Sequence, residues 1–358
     1  MGAIYSTLNQ FSPAKLTLAR EFRGLQKKEL AEKLEITPSA VTQFESGRVR
    51  PNKETLVKIS WTLGVPVDFF KHKVSDAKPI PTDICHFRSL RTSSQQERHR
   101  VLAAGTLLIE LVQFLEEHVE FPSEDISNIA VKKHLQKFNE IELYATTVRE
   151  KWKLGKGPIK NMVDLLESHG ALIFLIPGHS ERLDAFSLWN SGRPCIFLSS
   201  DKGSSSRSRF DLAHELGHLL MHADVIPGNK ELERQADAFA SAFLLPLDSF
   251  LPECPRRMNW GDWGHFIELK KRWKVSIAAL LHRAKKIGCI SEATYRRAFM
   301  NMNKQNMRKK EPAEPPVENP QLINKAVNLL SENGLSIEKI ADALSFNNKD
   351  LAELLYGV

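Results

Sequence analysis

The chain has 358 residues, enough for two or three domains that each bury a core. Its 50 Lys and Arg outnumber 43 Asp and Glu, a formal net charge of +7 that suits an anionic partner such as nucleic acid. Four widely separated cysteines with no CxxC spacing exclude a disulfide framework and a zinc ribbon and imply a reducing cytoplasm, and the lack of a signal-peptide pattern or long apolar run predicts neither a membrane span nor a membrane partner.

The first predicted helix covers residues 16–23 and breaks at Gly24-Leu25. A second covers 26–34, with Leu30, Ala31 and Leu34 apolar, and Glu35-Ile36-Thr37 makes a short turn. Thr37 caps a third helix that opens with Pro38 and runs to Glu45 before Ser46-Gly47. Val41 and Phe44 point inward there, leaving Ser39, Ala40, Thr42 and Gln43 to face outward. Residues 53–63 and 66–70 complete an all-α bundle over 12–72. Two short helices so spaced describe a helix-turn-helix whose second member enters the major groove of double-stranded DNA. Gln43 could read adenine, and Ala40 or Thr42 could meet a thymine methyl. Residues 1–78 hold thirteen Lys/Arg against eight Asp/Glu, and Arg48, Arg50 and Lys53 cluster suitably for phosphate. Residues 16–70 resemble the Cro/repressor-type (XRE) family. That resemblance implies DNA contacts from Lys27, Thr37, Ser39, Ala40, Thr42 and Gln43, with Lys27 standing where the family commonly has glutamine. Domains of this kind also serve for homodimerisation or for recognising a partner repressor.

Lys78-Pro79-Ile80-Pro81 marks a linker over 73–93. Cys85 lies in it, from where its thiolate could swing onto a zinc ion as an inhibitory ligand; the alternative is an ordinary thiol. Residues 94–152 read as helical, with Leu102, Leu107, Leu108, Leu111 and Leu115, then Leu135, Phe138, Leu143 and Trp152, as a buttress for the domain that follows. Residues 171–176 read as a buried strand, and 186–189 and 195–198 flank an Asn190-Ser191-Gly192-Arg193 turn, a hairpin signal. The hairpin's free edge could take a peptide by strand pairing, or the hairpin could simply pack a helix.

His214-Glu215-Leu216-Gly217-His218 follows. A four-residue step in a helix brings both imidazoles to one face, where two neutral nitrogens can grip Zn²⁺ and Glu215 can act as general base on a water there. Phe210, Ala213, Gly217 and Leu220 give the segment a core-facing stripe, and Gly217 suggests close approach of another element. A second periodic stretch carries Leu232, Ala236, Phe239 and Phe243 on one face, Glu233 and Asp237 one turn apart, and ends at Leu245-Pro246. A catalytic zinc site wants three protein ligands. Glu233 has the longer reach and completes a two-His-one-carboxylate set, whereas Asp237 could bind the metal or orient a histidine from behind, and His222 is a further candidate. The bland alternative, an amphipathic helix with surface histidines, requires two separate helices to mimic a site.

The run from Arg209 to His218, with Glu233-Arg234-Gln235-Ala236-Asp237-Ala238-Phe239-Ala240 and Leu244-Leu245-Pro246, resembles the ImmA/IrrE metallopeptidase family. Pro158 to Val163, Leu166-Glu167, Gly170, Leu269 to Ser276 and Ala279-Leu280-Leu281 fit it as well, so the similarity spans about 87–312. The resemblance implies an α+β zincin-like peptidase domain over 94–308, Zn²⁺ as cofactor, Glu215 as catalytic residue and Glu233 as the glutamate ligand; Asp237 stands where the family often has asparagine. It further implies limited cleavage of a transcriptional repressor to relieve repression in stress, phage defence or mobile-element control. A regulator or antitoxin-like protein whose metal domain senses a ligand or partner without proteolysis is the alternative.

Residues 309–320 read as a charged, proline-rich linker. Beyond it, 322–330 and 337–344 flank Asn333-Gly334-Leu335-Ser336, and a last helix covers 350–355. This small C-terminal helical domain, 321–358, is expected to dock onto the peptidase rather than read DNA.

Overall fold

The computed structural model describes residues 7, 10–71, 79–80, 94–131, 135, 137–176, 185–199, 203–223, 225, 229–255, 263–308 and 310–356. Local chemistry fixes the starts of its first four helices. Ser12 accepts from Lys15 N–H at α1 (Pro13–Phe22), and Glu29 accepts from Gln26 N–H at α2 (Lys27–Leu34). Thr37 accepts from Ala40 N–H at α3 (Pro38–Glu45), and Asn52 from Thr55 N–H at α4 (Lys53–Leu63). Leu16, Leu30, Leu34, Val41, Leu56, Ile59 and Leu63 are buried between these helices, so the helix-turn-helix forms in the predicted order, with the first helix starting at Pro13, three residues ahead of the prediction, because Ser12 caps it there.

α5 (Gln95–Glu116) is buried on all sides from Val101 to Val112, because it has neighbours on all sides. It lies against α1, where Lys15 Nζ donates to both Glu110 carboxylate oxygens at 2.7 Å with both side chains buried. On another side Gly105 meets the sheet: a Cβ there would sit 3.1 Å from Phe197 Cε1 and 2.9 Å from Ile80 Cδ1. α6 (Phe138–Lys151) packs on the helix that carries Glu233 and Asp237, with Ile141, Ala145 and Val148 buried. Leu143, predicted to belong to the buttress, is 68% exposed, since the helical period turns it away from that face.

After α7 (Met162–Ser168), the strands β1 (Leu172–Ile176), β2 (Ala185–Asn190) and β3 (Arg193–Ser199) form a sheet of order β1-β3-β2. β1 runs parallel to β3, and β2 antiparallel to it. The predicted turn places Ser191 at φ 49° and Gly192 at φ 83°, the two positive values that a tight hairpin of right-handed twist requires. Alternation gives the sheet two loaded faces. Leu172, Phe174, Phe186, Leu188 and Phe197 join a core shared with the bundle, α5 and the C-terminal helices. Ile173, Ala185, Ile196 and Leu198 join a second core built on the helices that carry His214 and Glu233.

Those helices are α8 (Ser205–Met221) and α9 (Lys230–Leu244), followed by α10 (Leu247–Glu253), α11 (Gly264–Trp273), α12 (Ile277–Lys286) and α13 (Glu292–Lys304). Residues 310–320, within the predicted linker over 309–320, run along this body with their glutamates on helix N-termini. Glu311 accepts from Ile277 N–H, Glu314 from Ser206 N–H, and Glu318 from Met162 N–H. Buried Lys270 holds Glu311 and Glu314, and buried Arg209 holds Glu318. α14 (Leu322–Glu332), α15 (Ile337–Leu344) and α16 (Asn348–Tyr356) then pack on α5, with α16 also against β1, while Asp350 accepts from both terminal nitrogens of Arg23 at 2.7 Å. Among the described residues no helix is long and apolar enough to cross a membrane.

Candidate functional site

Helical spacing on α8 stacks His214 and His218 along one side, with His222 following just past the helix end, all buried. α9 comes close because Gly217 has no side chain: a Cβ there would lie 3.1 Å from Phe239 Cδ1 and 3.4 Å from Ala236 Cα. That approach carries Glu233 over the histidine pair. His214 Nε2 and His218 Nε2 are 3.1 Å apart, and each lies 3.5 Å from a Glu233 carboxylate oxygen. Together these three side chains could hold a metal ion, their ligand atoms all lying within 4.8 Å of one another. Glu233 Oε2 is buried and, among the described residues, makes no hydrogen bond. An acceptor left in that state costs about 1–3 kcal/mol, more when charged, unless a cation answers it.

Burial works against a charge on His214, but the Asp237 carboxylate, which accepts at Nδ1, and the nearby carboxylates of Glu233 and Glu215 outweigh it, and its pKa rises to about 10. The surrounding carboxylates therefore favour positive charge at this point. Burial also pushes the Glu215 carboxyl up to about 7, against the opposing pull of His214 and a hydrogen bond from Ser187. Ser187 Oγ, on β2, donates to Glu215 Oε2 at 2.7 Å.

The other two candidates from the sequence lie behind the histidines. Asp237 Oδ1 sits 2.9 Å from His214 Nδ1, on the ring edge away from Glu233. His222 Nδ1 sits 3.0 Å from His218 Nδ1, and its own Nε2 is 2.9 Å from Gln235 Oε1. His222 thus faces the back of His218 and lies outside the group of His214, His218 and Glu233. Sequence reasoning missed Ser187 and Gln235. Gln235 carried a readable signal, being a polar residue three positions after Leu232 on the buried stripe of α9. Ser187 lies in a strand between Phe186 and Leu188, and nothing in the sequence pairs it with Glu215. Cys85 lies outside the described residues.

On the bundle, Ser39, Thr42 and Gln43 are exposed along α3, and Ala40 is half-buried against the core. Thr37 serves as the helix cap. Lys27 is exposed with its Nζ 3.3 Å from Glu45, whose carboxylate also accepts from buried Arg20 and ties α3 to α1. Gln96 of α5 donates to Gly24 O and lies 3.3 Å from Glu29, so α5 begins beside the turn that leads into α2.

Residues 166–285 match the model of the peptidase M78 family, described as the IrrE N-terminal-like domain, and residues 16–70 match a helix-turn-helix family. The chain therefore carries an XRE-type helix-turn-helix followed by an ImmA/IrrE-type peptidase domain, in the predicted order, a combination that fits a DNA-binding protease. A match to a metallopeptidase family implies a metal. A protein of Yarrowia lipolytica (strain CLIB 122 / E 150) bearing the name multi-protein-binding factor 1 is 44% identical over 46 residues, a match that covers 13% of this chain and 30% of that relative.

Proposed function

We propose that this chain is a cytoplasmic, zinc-dependent endopeptidase that binds double-stranded DNA and cuts a transcriptional repressor at a limited site. The observation that carries the reading is the triangle of His214, His218 and Glu233, with a carboxylate oxygen buried and unsatisfied beside Glu215. The donor set suits zinc. Ligands about 2.0–2.2 Å from a tetrahedral zinc lie about 3.3 Å from one another, and the separations here are 3.1, 3.5 and 3.5 Å. When bound there, zinc supplies Lewis acidity, polarising a peptide carbonyl and making a water easier to deprotonate.

The chain's own residues supply the rest. Glu215 accepts the proton of the attacking water and returns it to the leaving amine, from a buried position where desolvation raises the basicity of its carboxylate. Ser187 holds Glu215 in place. β2 is an edge strand that carries Ser187, so a substrate peptide pairing on its outer side would pass close to the base. Asp237 fixes His214 from behind. Ser39, Thr42 and Gln43 face the major groove, with Ala40 at the margin, and Thr37 and Lys27 meet phosphate at the helix starts.

The test is cleavage of a co-purifying repressor by zinc-loaded wild-type chain and by Glu215→Gln, with and without operator DNA. A discrete cut by wild type alone is expected. Zinc bound in both with no cut under any condition would replace the protease by a regulator whose metal domain senses a ligand or partner.

A further inference from the structure

We infer that His222 and Gln235 are positioning residues for the metal ligand His218, joined in one hydrogen-bonded chain that decides which nitrogen His218 offers to the cation. This rests on the zinc site proposed above and adds residues that act through it. His218 Nδ1 lies 3.0 Å from His222 Nδ1, and His222 Nε2 lies 2.9 Å from Gln235 Oε1. All three side chains are buried, so they shape each other rather than water.

The polarity of the chain follows independently from its two ends. At the metal end, His218 turns Nε2 toward His214 and Glu233, so its lone pair must be there. A neutral imidazole then carries its hydrogen on Nδ1, which must donate to His222 Nδ1. At the other end the Gln235 amide oxygen can only accept, so His222 must carry its hydrogen on Nε2 and leave Nδ1 as an acceptor. Both ends select the same tautomer of His222. No other assignment of these two rings satisfies both contacts and leaves His218 Nε2 open.

The partner type also differs between the two ligand rings, and charge explains the difference. His214 is backed by the Asp237 carboxylate. Glu233, Asp237 and Glu215 already crowd the site with carboxylates, and a fourth behind His218 would add repulsion in a buried place. A neutral imidazole with an amide behind it gives orientation with no further charge. The chain also ties the two helices together, because α9 places Glu233 in front of His218 and Gln235 behind His222. A histidine that merely filled the core would contribute to folding and leave metal affinity alone.

The experiment measures zinc affinity of the full chain by competition with a chromophoric chelator, alongside thermal unfolding of the zinc-free protein. His222→Phe is expected to weaken zinc by about 10- to 100-fold, the usual consequence of losing a ligand's hydrogen-bond partner. Gln235→Leu should weaken it as well, and combining the two should give no more than His222→Phe alone, since both break one chain. His222→Asn, which sets an amide oxygen near the position of Nδ1, should recover most of the loss. Affinity of His222→Phe within about twofold of wild type, or losses that add in full, would overturn the inference. Should His222→Phe fail to fold, the same decision falls on Gln235→Leu alone, where affinity within about twofold of wild type would overturn the inference. A wild-type chain that binds no zinc refutes the metal site itself, whereas unchanged affinity in folded variants refutes only the chain.

Discussion

Lys270→Met should loosen the segment 310–320 from the peptidase body. Lys270 is fully buried, with Nζ 2.8 Å from Glu311 Oε2 and 2.5 Å from Glu314 Oε1. Methionine keeps the stem and removes the charge, leaving two carboxylates that face each other without a cation. Breaking a buried pair by deleting one partner costs about 3–5 kcal/mol. Two features of the site reduce that figure. Glu311 keeps the N–H groups of Ile277 and Ala278, Glu314 keeps Ser206 N–H, and the Glu314 side chain is 29% exposed. A loss of about 2–3 kcal/mol remains. Urea unfolding followed by tryptophan fluorescence measures it, since Trp273 is buried at the end of the same helix. Adding Glu311→Gln and Glu314→Gln to Lys270→Met should restore part of the loss by removing the orphaned charges. A change below about 0.5 kcal/mol, the level of an ordinary surface substitution, would refute the idea that this cation anchors the segment.

Acid should weaken the same attachment. The Glu314 carboxyl is held below its ordinary range: burial opposes its charge, but Lys270 and the Ser206 N–H outweigh that. A depressed folded pKa gives stability that is present above the ordinary glutamate value of about 4.3 and lost as pH falls through the depressed one. Wild type should therefore lose stability below that point more steeply than Glu314→Gln, and superimposable curves would count against the pairing. Gly217→Val should destabilise by about 1–3 kcal/mol and weaken zinc, because its side chain enters the space of Phe239 and pushes Glu233 away with α9. Unchanged zinc affinity in a folded variant would show that this helix spacing does not set the site. Gln43→Ala should relax base preference by about 1–3 kcal/mol at one position, whereas Lys27→Ala should weaken all sequences evenly. Gel-shift measurements on operator and scrambled DNA separate the two, and equal loss on both duplexes for Gln43→Ala would remove it from base reading.

The sequence exposed those parts whose cause is local. Thr37-Pro38 announces a helix start, Ser191-Gly192 a hairpin turn, and a four-residue step puts His214 and His218 on one face whatever surrounds them. Glu233 was legible by reach and Gly217 by its cost to the helix. α5 was legible as a helix but not as to its neighbours, since a helix buried on all sides has no polar face to say which way it lies. The run from Glu311 to Glu318 was illegible for a different reason. Prolines and charges there have the composition of a solvated spacer, yet the partners of those charges lie from 33 residues away in the chain, at Ala278, to 156 away, at Met162.

The position of the sheet bears on how the two proposed activities would work together. A DNA-binding module on a flexible tether raises the local concentration of an enzyme but leaves its orientation free. This bundle shares one core with α5, the C-terminal helices and one face of the sheet, while α8 and α9 share the other core with the opposite face. Lys15 with Glu110, and Arg23 with Asp350, pin it further. Phe186 stacks on Phe197 on the bundle side, and its neighbour Ser187 holds Glu215 on the other. A peptide paired on β2 would therefore stand at a fixed distance and angle from a duplex held by α3. Guidance of that kind discriminates among bound proteins by where on the operator their cleavable segment falls, so the binding site would help choose the peptide as well as gather it. Operator spacing then becomes a determinant of cleavage: moving the repressor's half-site by half a helical turn relative to the bundle's own should abolish the DNA-dependent part of the rate and leave the DNA-independent part intact. A rate enhancement indifferent to that spacing would mean that the bundle, although anchored, does no more than concentrate the enzyme.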